Sequence, residues 1–101
     1  MRVLVAPEAL AQAEGIDDWW RANRPAARDL FASELDGVLM ALSAAPRMGQ
    51  VVEHPTVRGL RRVLLRATRF HVYCRIRTDA VEVVAVWSCL RGRGPEFEAL
   101  E

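Results

Sequence analysis

The chain has 101 residues, 51% of them hydrophobic and 27% charged, a composition that supplies a core and lies outside the range of disordered or collagen-like sequences. That length suits one compact domain over 1–101 and leaves no room for a second. Net charge is only +1, so the protein as a whole is neither strongly basic nor strongly acidic.

The first six residues, MRVLVA, form a β-branched run that stops at Pro7 and predicts a strand leading into a helix with proline in its opening turn. Ala9, Ala13, Ile16 and Trp20 then recur at helical spacing on one face, with Glu14, Asp17 and Arg21 largely elsewhere, giving an amphipathic helix to about Ala22. Asn23-Arg24-Pro25 breaks it, because a residue before proline is pushed from helical geometry, and Pro25 is placed to open a second helix. There Phe31, Leu35, Val38 and Leu42 share a stripe that Ala27 and Leu39 extend, until Pro46 and Gly49 end it. The short link predicts an antiparallel helical hairpin.

After a loop through Glu53, His54 and Pro55 the period becomes two, and strands are predicted over 60–66, 70–77 and 80–88. Their short links make them antiparallel neighbours. In the middle strand Phe70, Val72, Cys74 and Ile76 alternate with His71, Tyr73, Arg75 and Arg77, one face apolar and the other basic and polar. The last strand has Val81, Val83, Ala85 and Trp87 on one face, while Val84 and Val86 make the opposite face apolar too. A cover is needed on both sides there, from the tail 90–101 or from a partner. The fold class is α+β, β-α-α-β-β-β, with the helical hairpin on the apolar face of a mainly antiparallel four-stranded sheet.

No apolar stretch reaches the roughly 18 to 20 residues of a membrane span, and the N-terminus has no basic region followed by a greasy run, so a cytoplasmic protein without a membrane anchor is expected. Two cysteines, Cys74 and Cys89, are too few for a disulfide scaffold, and free thiols are expected. His54, His71, Cys74 and Cys89 are scattered over different elements, which argues against a metal site. Cys74 reads as a small core residue, and nothing in the sequence marks Cys89 as activated. No phosphate loop or hydrolase elbow occurs, and no cofactor is expected.

The charge that stands out is local. Residues 58–77 hold seven arginines and no acid, and every one of the 14 basic residues is arginine. The absence of lysine fits base composition as readily as chemistry, although a guanidinium fork suits phosphate and carboxylate. Beside His71 and Tyr73, on a face the helices leave open, these arginines read either as a polyanion-binding surface or as a solvated face that discourages edge pairing. Cleavage of RNA would further require a base, an acid and a phosphate holder. Glu53, His54 and His71 are the candidates for proton transfer, and Arg61 and Arg75 for phosphate. Of Trp19 and Trp20, adjacent on a helix, only one can face the core.

The stretch Asp18-Trp19-Trp20-Arg21-Ala22-Asn23-Arg24-Pro25-Ala26-Ala27, then Arg61-Arg62-Val63-Leu64-Leu65, Phe70-His71-Val72-Tyr73-Cys74-Arg75-Ile76, Val81-Glu82-Val83-Val84-Ala85-Val86-Trp87 and Arg91-Gly92-Arg93-Gly94-Pro95 together resemble a toxin of the RelE/ParE superfamily. The Trp-Trp and Arg-Gly-Arg-Gly-Pro features resemble its ParE-like branch. The usual ribonuclease set is incomplete, since the tail after Phe97 has neither His nor Tyr. Departures from the ParE-like pattern are Arg69 where glycine is frequent, Cys74 where tyrosine is frequent, and Ser88 where histidine often follows the tryptophan.

The resemblance implies a toxin neutralised by a cognate antitoxin whose disordered segment folds around it. Val84, Val86 and Trp20 are the expected antitoxin contacts, and operator DNA would be met only through the antitoxin. ParE-like members inhibit DNA gyrase, which makes Arg61, Arg66, Arg75, Arg91, Arg93 and Tyr73 the expected target contacts. RelE-like members cleave messenger RNA on the ribosome, for which His71, His54 and Arg75 are the candidates. A third reading is a degenerate, non-toxic member that binds an antitoxin.

Overall fold

The computed structural model describes residues 1–97 of the chain; the last four positions of the predicted tail, 98–101, lie outside the described residues. The order is β1 (Arg2–Val5), α1 (Pro7–Asn23), a 3-10 turn (Pro25–Ala27), α2 (Leu30–Ala44), β2 (Gln50–Val51), β3 (Arg61–Leu65), β4 (Phe70–Ile76) and β5 (Ala80–Ser88). The sheet runs β1-β5-β4-β3-β2, with β1 parallel to β5 and the other neighbours antiparallel. The α+β architecture and its element order therefore match the expectation, with five strands in place of four.

The extra strand is β2, whose two residues are too few to show a period. It is placed by Gly49, whose φ of 98° needs glycine and whose absent Cβ would otherwise sit 2.6 Å from the Arg62 carbonyl oxygen. The second helix also begins later than predicted. Arg24 leaves helical geometry before Pro25, with φ −133° and ψ 63°, and the Trp20 indole N–H donates to the Ala27 carbonyl at 2.8 Å, an acceptor that a regular helix from Pro25 would use for its own ladder. The α-helix proper starts at Leu30.

One core lies between the helices and the sheet. Ala9 and Ala13 of α1 and Phe31 and Leu42 of α2 meet Val63, Leu65, Val72, Cys74, Val81, Val83 and Val86, with Ile16, Trp20, Leu35 and Val38 at its margin. Both predicted helical stripes face inward except at Ala27, which is exposed in the 3-10 turn ahead of the helix it was expected to join. Two side chains tie the layers by polar contacts: Glu34 accepts from the backbone N–H groups of Ala67 and Thr68 at 2.8 and 3.1 Å and from the Thr68 hydroxyl at 2.7 Å, and Gln12 Oε1 accepts from the Val86 N–H at 2.9 Å. The latter satisfies a strand amide beyond Val83, where pairing with β1 has ended.

The other face of the sheet is not open. Val57, Leu60, Tyr73, Val84 and Ala85 form a second, smaller core, closed by Val52, Trp87 and Phe97 from the loop before β3, the end of β5 and the tail. The predicted phase of β5 fails at one point. Tyr73 pairs with Ala85 and Cys74 with Val83, so Val84 is an inserted residue, a β-bulge. Before the bulge Val81 and Val83 face the helices; after it Val86 does, and Ala85 and Trp87 turn to the second face. Val84 and Val86 therefore lie in different cores.

Candidate functional site

Three arginines, Arg62, Arg91 and Arg93, converge at the end of β5, where the chain leaves the sheet. With His71, Tyr73, Trp87, Cys89 and the glycines of Arg91-Gly92-Arg93-Gly94 they line a shallow basin of about 200 Å³ that has no carboxylate in its wall. Alternation builds it: Arg62 on β3 stands opposite Tyr73 on β4, and His71 opposite Trp87 on β5, all on the second face. The Arg91 guanidinium lies 4.3 Å from the centre of the Trp87 ring, whose N–H donates to the Arg93 carbonyl at 2.8 Å. These two contacts fold the Arg-Gly-Arg-Gly stretch back over the strand. Arg62 Nε donates to Gln50 Oε1 at 3.2 Å, leaving its other N–H donors for the basin.

His71 sits in this wall with Nδ1 3.3 Å from Cys89 Sγ. Burial, and secondly the Arg62 charge, push its pKa below the ordinary 6.5, so the imidazole is neutral at neutral pH. Burial raises the Cys89 thiol, against the opposing pull of Arg62 and Arg69. A row of edge-to-face rings, His71, Tyr73, Phe97 and His54, crosses the second face with centroids 5.3 to 6.1 Å apart. The two histidines thus stand at opposite ends of the row. His54 Nδ1 accepts from the N–H groups of Thr56 and Val57, both at 3.2 Å, and closes the turn before β3.

Of the expected target contacts, the structure gathers Tyr73, Arg91 and Arg93 at the basin and adds Arg62. Tyr73, expected on an open face, is only 4% exposed. Arg75, expected on the surface, is 9% exposed and pairs with its cross-strand neighbour Glu82 at 3.0 Å, with Arg77 on the same carboxylate at 3.4 Å. Arg61 is on the opposite face from Arg62, donating to the Arg47 and Gly49 carbonyls, and Arg66 is exposed at the β3–β4 turn. Glu53 is an exposed loop residue. Among the described residues no cluster of three or more His, Cys, Asp or Glu is arranged to hold a metal ion, and no helix is long and apolar enough to cross a membrane.

The expected antitoxin contacts are also placed differently. Val84 and Val86 are 5% and 2% exposed, each enclosed in one of the two cores, so neither offers free apolar surface. Trp20 packs against the main core and Trp19 is the exposed member of the pair, 49% accessible. Trp19 stands at the rim of a groove of about 280 Å³ between α1 and β5, with Gly15, Ile16, Phe70 and Trp87 in its walls. The groove is open beside Gly15, where a Cβ would meet nothing within 4 Å. Gln12 and Glu34 are residues that a linear reading passes over, and it gives Cys89 and Arg62 no role in a site, because each acquires its role only from a partner distant in sequence.

The fold and its basic basin define a small α+β protein with a helical hairpin on one side of a sheet whose first and last strands are parallel. The same fold occurs in a solved structure described as the chromosomal ParDE TA system from P. aeruginosa, with a TM-score of 0.73, 18% sequence identity, and alignment over 87% of this chain and 95% of that one. Comparison with curated protein sequences finds no match. The family model described as the ParE toxin of the type II toxin-antitoxin system, parDE, matches residues 3–91, and the chain belongs to that family.

Proposed function

We propose that this ParE-family toxin acts in the cytoplasm by binding DNA gyrase and is neutralised by a co-expressed antitoxin. The observation that carries the reading is the basin of Arg62, Arg91 and Arg93, a surface equipped to bind an anionic partner by charge and hydrogen bonds. Its lining holds no carboxylate, and among the described residues only the exposed Arg93 of the three has an acidic partner, Glu96 at 3.7 Å. Acid–base chemistry has less support, because His54 is engaged in its turn and lies away from His71 across the ring row. The antitoxin's amphipathic segment is read as occupying the Trp19 groove, and operator DNA is met through the antitoxin.

The test is induced expression without antitoxin, with growth, DNA supercoiling, DNA breaks and messenger RNA integrity followed together. Arrest with gyrase-linked breaks and intact messages is the expected result. Early message cleavage would move the chain to the ribonuclease reading, and unimpaired growth would reject a toxic role. The double variant Arg91→Glu/Arg93→Glu is expected to melt like the parent and to lose toxicity; a folded variant that still arrests growth rejects the basin as the contact surface.

A further inference from the structure

The basin holds a thiol as well as guanidiniums. Cys89 follows β5 directly, and its backbone N–H donates to the Arg69 carbonyl at 2.9 Å, which fixes the start of the tail against the β3–β4 turn. The residue is half-buried, with its sulfur 3.3 Å from His71 Nδ1. A neutral imidazole at that distance, in the tautomer that carries its proton on Nε2, offers the Nδ1 lone pair to the thiol proton. The resting pair is thus a thiol and an imidazole, with the base already in contact with the group it would activate. The other thiol, Cys74, is 1% exposed in the main core.

The wall decides what such a thiol meets. Arg62 and Arg91 are each oriented by one contact, to Gln50 and to the Trp87 ring, and a guanidinium has further N–H donors to spend. Gly92 and Gly94 carry no side chains into the space, and no carboxylate in the lining competes for Arg62 or Arg91, whereas Arg93 pairs with Glu96 at 3.7 Å. A neutral or cationic reagent gains nothing from these walls, whereas carboxylates find bidentate partners.

We infer that Cys89 is a site of reversible S-thiolation by carboxylate-bearing disulfides, with His71 as the base and the basin arginines as the carboxylate holders. The step is thiol–disulfide exchange. The Cys89 proton passes to His71 Nδ1, and the sulfur attacks one sulfur of the incoming disulfide. A new S–S bond forms as the old one breaks, and the departing sulfur takes the proton back from His71. Cys89 is oxidised, the departing sulfur is reduced, and no further oxidant is consumed. The inference stands on the geometry of the basin and is independent of what the toxin binds.

The test treats the reduced full chain with three disulfides: oxidised glutathione, which is anionic, hydroxyethyl disulfide, which is neutral, and cystamine, which is cationic. Mass spectrometry locates the adduct, and each rate is divided by that of the same disulfide with a free small thiol. Cys89 is expected to react ahead of Cys74, with oxidised glutathione favoured over cystamine about tenfold by charge steering. Arg62→Ala/Arg91→Ala should bring that preference close to unity, and His71→Asn should slow all three reagents by a common factor. Modification of Cys74 first, equal normalised rates for oxidised glutathione and cystamine, or a preference that survives the double arginine variant would each overturn the inference. The comparison of disulfides needs no substitution, so it decides the matter even if a variant is unstable.

Discussion

The two faces of the β4–β5 ribbon are built on opposite principles. Toward the helices, β4 and β5 present Val72, Cys74, Val81 and Val83 to the aliphatic and aromatic side chains of α1 and α2, with polar contacts from Gln12 to β5 and from Glu34 to the β3–β4 turn. On the far side the same strands present Tyr73, Arg75, Glu82 and Trp87, and the cover is irregular chain from the loop before β3 and the tail. The first face gains stability from area removed from water, which is non-directional. The second encloses a charge and aromatic rings, so it depends on directional pairing. A sheet this small can therefore carry charged and aromatic side chains on a covered face, provided each buried polar group has a partner.

That contrast can be broken most forcefully on the helix side. Phe31→Ala removes a buried ring in edge contact with Phe70 at 5.3 Å and should cost about 3 to 5 kcal/mol in denaturant unfolding. A loss near 1 kcal/mol would mean the helices are less essential than their packing implies. On the far side Glu82→Ala takes from Arg75 and Arg77 their shared carboxylate and should cost about 2 kcal/mol, below the range for a fully enclosed pair because Glu82 keeps some solvent access. The joint replacement Arg75→Met/Glu82→Leu should recover much of that cost; if it does not, the face is held by more than the ion pair.

Smaller effects sharpen the comparison at its edge. Arg69 holds φ = 65° in the β3–β4 turn, a left-handed conformation that costs a side-chain-bearing residue, so Arg69→Gly should raise stability by about 0.5 to 1 kcal/mol. Titration provides the mildest probe. Because folded His71 has a pKa below 6.5, the unfolded chain binds the proton first as pH falls. Its contribution is complete above 6.5 and is lost as pH drops from there through the folded value. The melting temperature should decline over that acidic interval, and His71→Asn should flatten the decline. The thiols act at the other end: burial raises both above 9.0, so their contribution is present below 9.0 and lost as pH rises beyond it.

Much of this was readable along the chain. The stripes Ala9–Ala13–Ile16–Trp20 and Phe31–Leu35–Val38–Leu42 identify the covered faces of the helices, and β4 alternates without interruption. The bulge was not readable, because Val83-Val84-Ala85-Val86 is apolar at every position and a shift of phase leaves no trace in such a run. Nor was the burial of Arg75, which needs Glu82 opposite it, or the meeting of His71 with Cys89 across the strand link. The resemblance to ParE-like sequences had marked Arg69 as standing where glycine is frequent. The left-handed turn explains the glycine in physical terms, and the arginine shows that the turn tolerates the strain.

The parallel pairing of β1 with β5 has a consequence for the order of assembly. β1 finds its sheet partner only in Ala80–Val83, close to the opposite end of the described chain. The hairpins β3–β4 and β4–β5 close over a few residues and can form early, whereas β1 must wait for a long-range contact. On a translating ribosome the first strand therefore emerges well before its neighbour exists, and the sheet cannot be completed until Val83 has been made. A nascent copy of the protein would thus carry both helices before it has the strands that they pack on or the residues of the basin.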